Sequence, residues 1–219
     1  MATLYCGDSA DLIASLQRDS AVVADPPYGI GMKWKDAKRL GRKSGLDWGA
    51  TDVERQPQWR DIHGDHQPFD PAPWLAFRQA ILWGGNNYEG LPASRRWLVW
   101  DKRRDMTPDD HGDAELAWTN LDGVIRVHRQ VWRGVVREGS ENVANGPKYH
   151  PTQKPIELMR WCVSMTEGLV IDPYMGSGTT GVACADLQRA FIGVEIEPAY
   201  FEIACDRIDR AQRQERLFA

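Results

Sequence analysis

A chain of 219 residues that is 42% hydrophobic and 26% charged has the composition of an ordinary globular protein, with enough apolar material for one sizeable core. Its net charge of -4 excludes a surface coated in positive charge, and no apolar run approaches the ~20 residues that cross a bilayer, so no membrane association is expected. The N-terminus does not resemble a secretory leader, which points to a cytoplasmic protein. Cys6, Cys162, Cys184 and Cys205 lack metal-ligand spacing, so all four read as buried reduced thiols and no metal is expected.

Leu4 to Asp8 reads as a short strand, and Ser9 to Leu16 has helical spacing that Asp8 or Ser9 can cap. The next strand, Ala21 to Ala24, runs into Asp25-Pro26-Pro27-Tyr28. Prolines cannot continue a ladder, so the chain leaves the sheet at Asp25. A carboxylate, free carbonyls and a ring then stand at a strand's carboxyl end, where ligands bind in open α/β sheets. Residues 31–72 lack periodicity, and a loop this long is functional or disordered. Within it Lys33, Lys35, Lys38, Arg39, Arg42 and Lys43 face only Asp36. A second basic cluster comprises Arg95, Arg96, Lys102, Arg103 and Arg104, and both clusters read either as solvated loops or as nucleic-acid contacts.

The pattern predicts a helix over Trp74 to Ala80 and strands over Ala80 to Trp83 and Arg96 to Trp100. A polar connection, 102–113, leads to Glu115-Leu116-Ala117-Trp118-Thr119 and a partly exposed strand between Val124 and Trp132. After a further loop from residue 133, Pro155 opens a helix with Glu157 in its first turn and one apolar face. Strands Gly168 to Asp172 and Ala190 to Glu195 flank a helix ending at Leu187, and Pro198 opens the last helix. This alternation predicts an α/β fold with a doubly wound, mostly parallel sheet.

Between the last two strands, Gly176-Ser177-Gly178-Thr179-Thr180-Gly181 matches G-x-G-x-x-G, with the acid Glu195 downstream to accept ribose hydroxyls. Alone it suggests a dinucleotide, although any adenosine-bearing ligand suits it. Asp172 and Tyr174, just before the glycines, put a carboxylate and a ring where an amino-acid moiety can be held.

Four segments together, Asp25 to Tyr28, His150 to Pro155, Asp172 to Thr180 and Gly193 to Pro198, resemble the amino-group DNA methyltransferases that use S-adenosylmethionine. Catalytic motif first and cofactor motif last is similar to the permuted beta class of that family. The resemblance implies a single domain over 1–219, with a circularly permuted, Rossmann-like sheet of seven strands, one antiparallel. The first strand should then lie beside the last helix. Asp25, Pro26, Pro27 and Tyr28 become the catalytic segment, with Asp25 also bordering the cofactor. Asp8 is implied near the adenine of the cofactor, Glu195 at its ribose and Ile196 as an apolar wall. His150, Thr152 and Lys154 form the rim, and Asp172, Tyr174, Gly176, Ser177, Gly178 and Thr179 complete the cofactor set.

The partner so implied is double-stranded DNA with its target base flipped out, because the amine cannot be reached inside the stack. Asp at the first motif position favours adenine N6, with cytosine N4 the alternative. Methylation at cytosine C5 needs a cysteine, typically after proline, and the four cysteines follow Tyr, Trp, Ala and Ala. A catalytically inactive nucleic-acid-binding homologue is the alternative of another class, and a nicotinamide oxidoreductase leaves Asp25 to Tyr28 unexplained. The small size suits a phage-like or restriction-modification enzyme whose DNA-recognition loops are 31–72, 102–113 and 133–149. Lys33, Lys35, Lys38, Arg39, Arg42, Lys43, Arg103 and Arg104 are then the candidate DNA contacts. Monomer and homodimer are both left open.

Overall fold

The computed structural model describes residues 1–31, 62–104, 112–133, 136–138 and 149–216. In chain order these form β1 (Ala2–Cys6), β2 (Ala21–Ala24), the one-turn helix α1 (Ala72–Leu75), β3 (Gln79–Trp83), β4 (Trp97–Asp101), β5 (Ala114–Thr119) and β6 (Arg126–Arg129). There follow the two-residue strands β7 (Trp132–Arg133) and β8 (Val136–Arg137), α2 (Ile156–Ser164), β9 (Val170–Asp172), α3 (Thr179–Asp186), β10 (Phe191–Glu195) and α4 (Pro198–Arg216).

Eight of these strands form one sheet in the order β1-β10-β9-β2-β3-β5-β4-β6. All its pairings are parallel except the two that β5 makes, with β3 and β4. The expected doubly wound, mostly parallel architecture is therefore present, with eight strands where seven are implied. The extra one is β6, which among the described residues pairs only with β4 and keeps Arg126, Val127 and Arg129 exposed at the sheet's edge. Charged residues are a usual guard on such an edge.

Central strands β2 and β3 are buried along their whole length, which is why they read as continuous apolar runs rather than alternating ones. The expected helix over 9–16 is instead two turns of 3-10 helix, Ser9–Asp11 and Ile13–Ser15. Eight residues are too few to sustain an α-helix on propensity alone, and Leu16 is already extended on the way to β2. The helix expected over Trp74 to Ala80 stops at Leu75, because Gln79 and Ala80 are taken into β3 by pairing with Ala21 and Val22. Cys162 and Cys184 are buried thiols, whereas Cys6, last in the sheet's other edge strand, is exposed and Cys205 is partly so.

The permuted junction is as implied. β1 runs parallel to β10 from Ala2 opposite Phe191 to Cys6 opposite Glu195, and α4 packs against both. α2 buries Ile156, Leu158, Met159, Cys162 and Val163 and packs against α3, which packs against α4. The last contact depends on Gly178, the residue before α3: its φ is +82°, and a Cβ there would stand 2.9 Å from the Ala204 Cβ and 3.0 Å from its Cα. Gly178→Ala should therefore lose at least about 1 kcal/mol, a fall in melting temperature of roughly 2–4 °C. Gly7→Ala, where a Cβ meets nothing within 4 Å, should melt as the parent does; calorimetry of the two variants checks the contrast.

Candidate active site

At one edge of the sheet the carboxyl ends of β1, β10, β9 and β2 open together, and β4 and the reversed β5 reach the same edge with Lys102 and Glu115. A cleft of about 740 Å³ lies along this edge, lined by Asp8, Asp25, Tyr28, Glu115, Lys154 and Glu195 among others. It crosses from the β1/β10 side of the sheet to the β5/β4 side, with Asp25, following β2, between them.

Asp25 is the centre of a compact ionic group. Tyr28 Oη donates to Asp25 Oδ1 at 2.8 Å, and Lys154 Nζ lies 2.6 Å from Oδ2. The same ammonium reaches Glu115 Oε2 at 3.0 Å and the Tyr28 hydroxyl at 3.1 Å. Glu115 is held from its other oxygen by Lys102 Nζ at 2.8 Å. Burial raises the Asp25 carboxyl above the ordinary carboxylate range, with Lys154 pulling it back. Burial works against the Lys154 ammonium, but Asp25 and Glu115 outweigh it and hold the proton on more firmly than usual. Glu115 resists burial through its two lysines and is lowered to about 2.

The ring of Tyr28 packs against the turn after β3. A Cβ on Gly84 would run into the Tyr28 ring and come within 2.6 Å of the Tyr88 hydroxyl, and φ there is +78°, so glycine is required twice over. Tyr88 spends its hydroxyl proton on the Trp83 carbonyl at 2.6 Å and stays 3.5 Å from the Pro26 carbonyl. Pro26 and Pro27 both line the cleft. After Tyr28 the chain is pinned by Asp65, which accepts from the Gly29 and Ile30 amides at 3.0 and 3.4 Å.

On the other side the glycine turn is tied to β10. Glu195 accepts the Gly176 amide at 2.9 Å and the Glu197 amide at 2.8 Å. Asp8, Ile196, Tyr174, Gly176, His150 and Thr152 all line the cleft. The His150 ring stands edge-on to Tyr200 at 4.3 Å, with its Nδ1 3.1 Å from the Thr152 hydroxyl. Lys154 also lines the cleft, but on Asp25 and Glu115.

Asp172, Ser177, Gly178 and Thr179 are not brought to the cleft wall. Asp172 is 3% exposed, its oxygens taken by the Tyr174 amide at 3.1 Å and the Thr180 hydroxyl at 2.5 Å, and burial raises it to about 7. It braces the turn from within. Ser177 and Thr179 receive Arg207 from α4 at 3.0 and 3.3 Å.

Of the basic residues expected on DNA, Lys33, Lys35, Lys38, Arg39, Arg42 and Lys43 lie outside the described residues, as does much of the three expected loops. Arg103 does not present itself to DNA: it is 3% exposed, with Nε 2.5 Å from Asp113. Arg104 remains at the surface, paired with Glu138 at 2.9 Å. The sequence reading passed over Glu115, over Phe69 and Trp74, which line the cleft, and over Tyr88, whose ring stands edge-on to that of Tyr28. Glu115 did leave a signal, since it shares a strand face with Ala117, which is wholly buried, and an acid on such a face needs a cation. Among the described residues no cluster of His, Cys, Asp or Glu can hold a metal ion, and no helix is long and apolar enough to cross a membrane.

Comparison with known proteins bears on this arrangement. The chain is 28% identical to the type II methyltransferase M.HpaI of Haemophilus parainfluenzae over 94% of its own length and 74% of the relative's. It is 34% identical to the type II methyltransferase M2.DpnII of Streptococcus pneumoniae, over 65% of its own length and about half, 48%, of the relative's. M1.HpyAVI, solved as its SAM complex, shares the fold at a TM-score of 0.54 and 22% identity, with 95% of this chain and 100% of that one covered. The N6_N4_Mtase model, described as DNA methylase, matches residues 95–206, just over half the chain. The protein belongs to this N6/N4 DNA methylase family.

Proposed function

We propose that the protein transfers a methyl group from S-adenosylmethionine to the N6 amine of an adenine flipped out of double-stranded DNA. The observation that carries this is the Asp25 carboxylate, held at the centre of the cleft between a glycine turn and an aromatic ring.

The residues on the β1/β10 side fit such a cofactor by their chemistry. Asp8 and Glu195 are acceptors for hydroxyl or amine groups, Ile196 is apolar, and Tyr174 and Tyr200 supply rings. Beside Asp8 the cleft is open, since a Cβ on Gly7 would meet nothing within 4 Å. When bound, S-adenosylmethionine supplies an electrophilic methyl carbon on a sulfonium.

The chain's own task concerns the base. An exocyclic amine is a poor nucleophile because its lone pair is conjugated with the ring. Asp25 and the Pro26 carbonyl, each accepting one N–H, favour a tetrahedral nitrogen with its lone pair free. The two prolines keep both acceptors in place, which is the preorganisation that electrostatic stabilisation requires. The nitrogen gains the methyl carbon and gives up one proton, for which Asp25 is the nearest acceptor. Tyr28 offers the flipped base a stacking face. The choice of adenine rests on aspartate at the first motif position, and target recognition is assigned to segments 31–72, 102–113 and 133–149.

The direct test incubates the protein with unmethylated DNA and the cofactor, digests to nucleosides and identifies the product by mass spectrometry. N6-methyladenine is expected; N4-methylcytosine would reassign the base, and no modified base would end the DNA-methylation reading. Asp25→Ala should lower transfer by about 100-fold or more while calorimetry still detects cofactor binding. Tyr28→Ala should weaken productive DNA binding by about 1–3 kcal/mol, roughly 5- to 150-fold in affinity, and Tyr28→Phe, which keeps the ring, should lose much less.

A further inference from the structure

Lys154 stands where the base amine has to go. Its ammonium is the shortest contact of Asp25, at 2.6 Å, and Tyr28 already occupies the other oxygen. A charge-assisted bond is roughly twice as strong as a neutral one, so a neutral amine cannot draw the carboxylate away from an ammonium that has nowhere else to go. Water is no refuge, because the Lys154 side chain is 7% exposed. Among the described residues the remaining anion within reach is Glu115, at 3.0 Å.

We infer that Glu115 is a positioning residue that takes over the Lys154 ammonium when the base amine reaches Asp25. Lys154 is then a placeholder, keeping Asp25 ionised and aligned in the free protein and stepping onto Glu115 as the amine binds. The inference rests on the amine-methylation reading above. It gives Lys154 a role toward the base, distinct from the cofactor rim.

Asp25 is faced by Lys154 from the segment before α2, by Glu115 of β5, by Tyr28 of its own turn, by Tyr88 after β3 and by Asp172 at the end of β9. Lys102 acts on it through Glu115. Of these, Lys154 lowers the Asp25 carboxyl and Glu115 raises it. Transfer needs Asp25 ionised, so activity is lost as pH falls through its titration. Lys154→Met should move this acid limb to higher pH, with activity regained as pH rises. Glu115→Gln should move it to lower pH, yet depress the plateau because the ammonium is no longer drawn off Asp25.

The experiment measures methyl incorporation into unmethylated DNA from about pH 5 to about pH 10 for the parent and both variants, with cofactor affinity by calorimetry. Glu115→Gln is expected to lower the plateau kcat by about tenfold or more at unchanged cofactor affinity. Lys102→Met is a third variant, measured in the same way. It leaves Lys154 as the remaining cation on Glu115 among the described residues, drawing it from Asp25, and should move the limb upward, as Lys154→Met does. Carboxyl titration of Asp25 by 13C NMR in the free protein should follow the same three directions without any turnover. Limbs that stay put or shift in one common direction, or a Glu115→Gln plateau equal to the parent's, would overturn the placeholder role while methyl transfer stands. A parent protein that methylates no DNA removes the reading and this inference together.

Discussion

One ammonium group fixes the geometry of the cleft. Lys154 is bonded at once to residues 25, 28 and 115, and through Glu115 to Lys102, so four separate stretches of chain meet at a single charge. Removing an ion from water costs several kcal/mol unless partners replace the lost hydration. Here two carboxylates and two lysines balance one another inside a chain whose net charge is -4. Such a cluster is weak evidence for stability, but it leaves few arrangements in which every member is satisfied. The reversal of β5 makes it reachable: running against its neighbours, the strand presents its first residues, Glu115 among them, at the edge where the parallel strands present their last.

The glycine turn has a comparable anchor. Glu195, the acid expected to accept ribose hydroxyls, already binds two backbone amides, one from the turn and one from the start of the next helix. A carboxylate has about four acceptor sites, so both duties can coexist. On the proposed reading, the same side chain shapes the turn and reads what the turn holds.

Much of this was legible beforehand, and the reason lies in local chemistry. The β-branched run before Asp25, the prolines after it, the glycines following β9 and the Pro155 and Pro198 helix starts each act within a few residues of themselves, so a window of sequence contains their cause. Glu115 depends on strand pairing across distant segments, and no window contains Lys154 and Asp25 together. Arg103 was misjudged for the same reason: a cluster of cations says nothing of which one turns inward to an aspartate ten residues away. Asp172 was identified as a site carboxylate from its place before the glycines, but its hydrogen bonds go to its own turn.

The pairing of β1 with β10 has a consequence in time. Residues 2–6 are made well before their sheet partner, residues 191–195. Contacts so distant in sequence are slow to form, because closing them brings together segments with all the intervening chain between them. On a ribosome, the half of the cleft that Asp8 and Glu195 line cannot be assembled until residue 195 has emerged, whereas β2 and β3, with Asp25 beside them, can pair much earlier. The protein thus acquires the Asp25 side of its cleft before the Glu195 side.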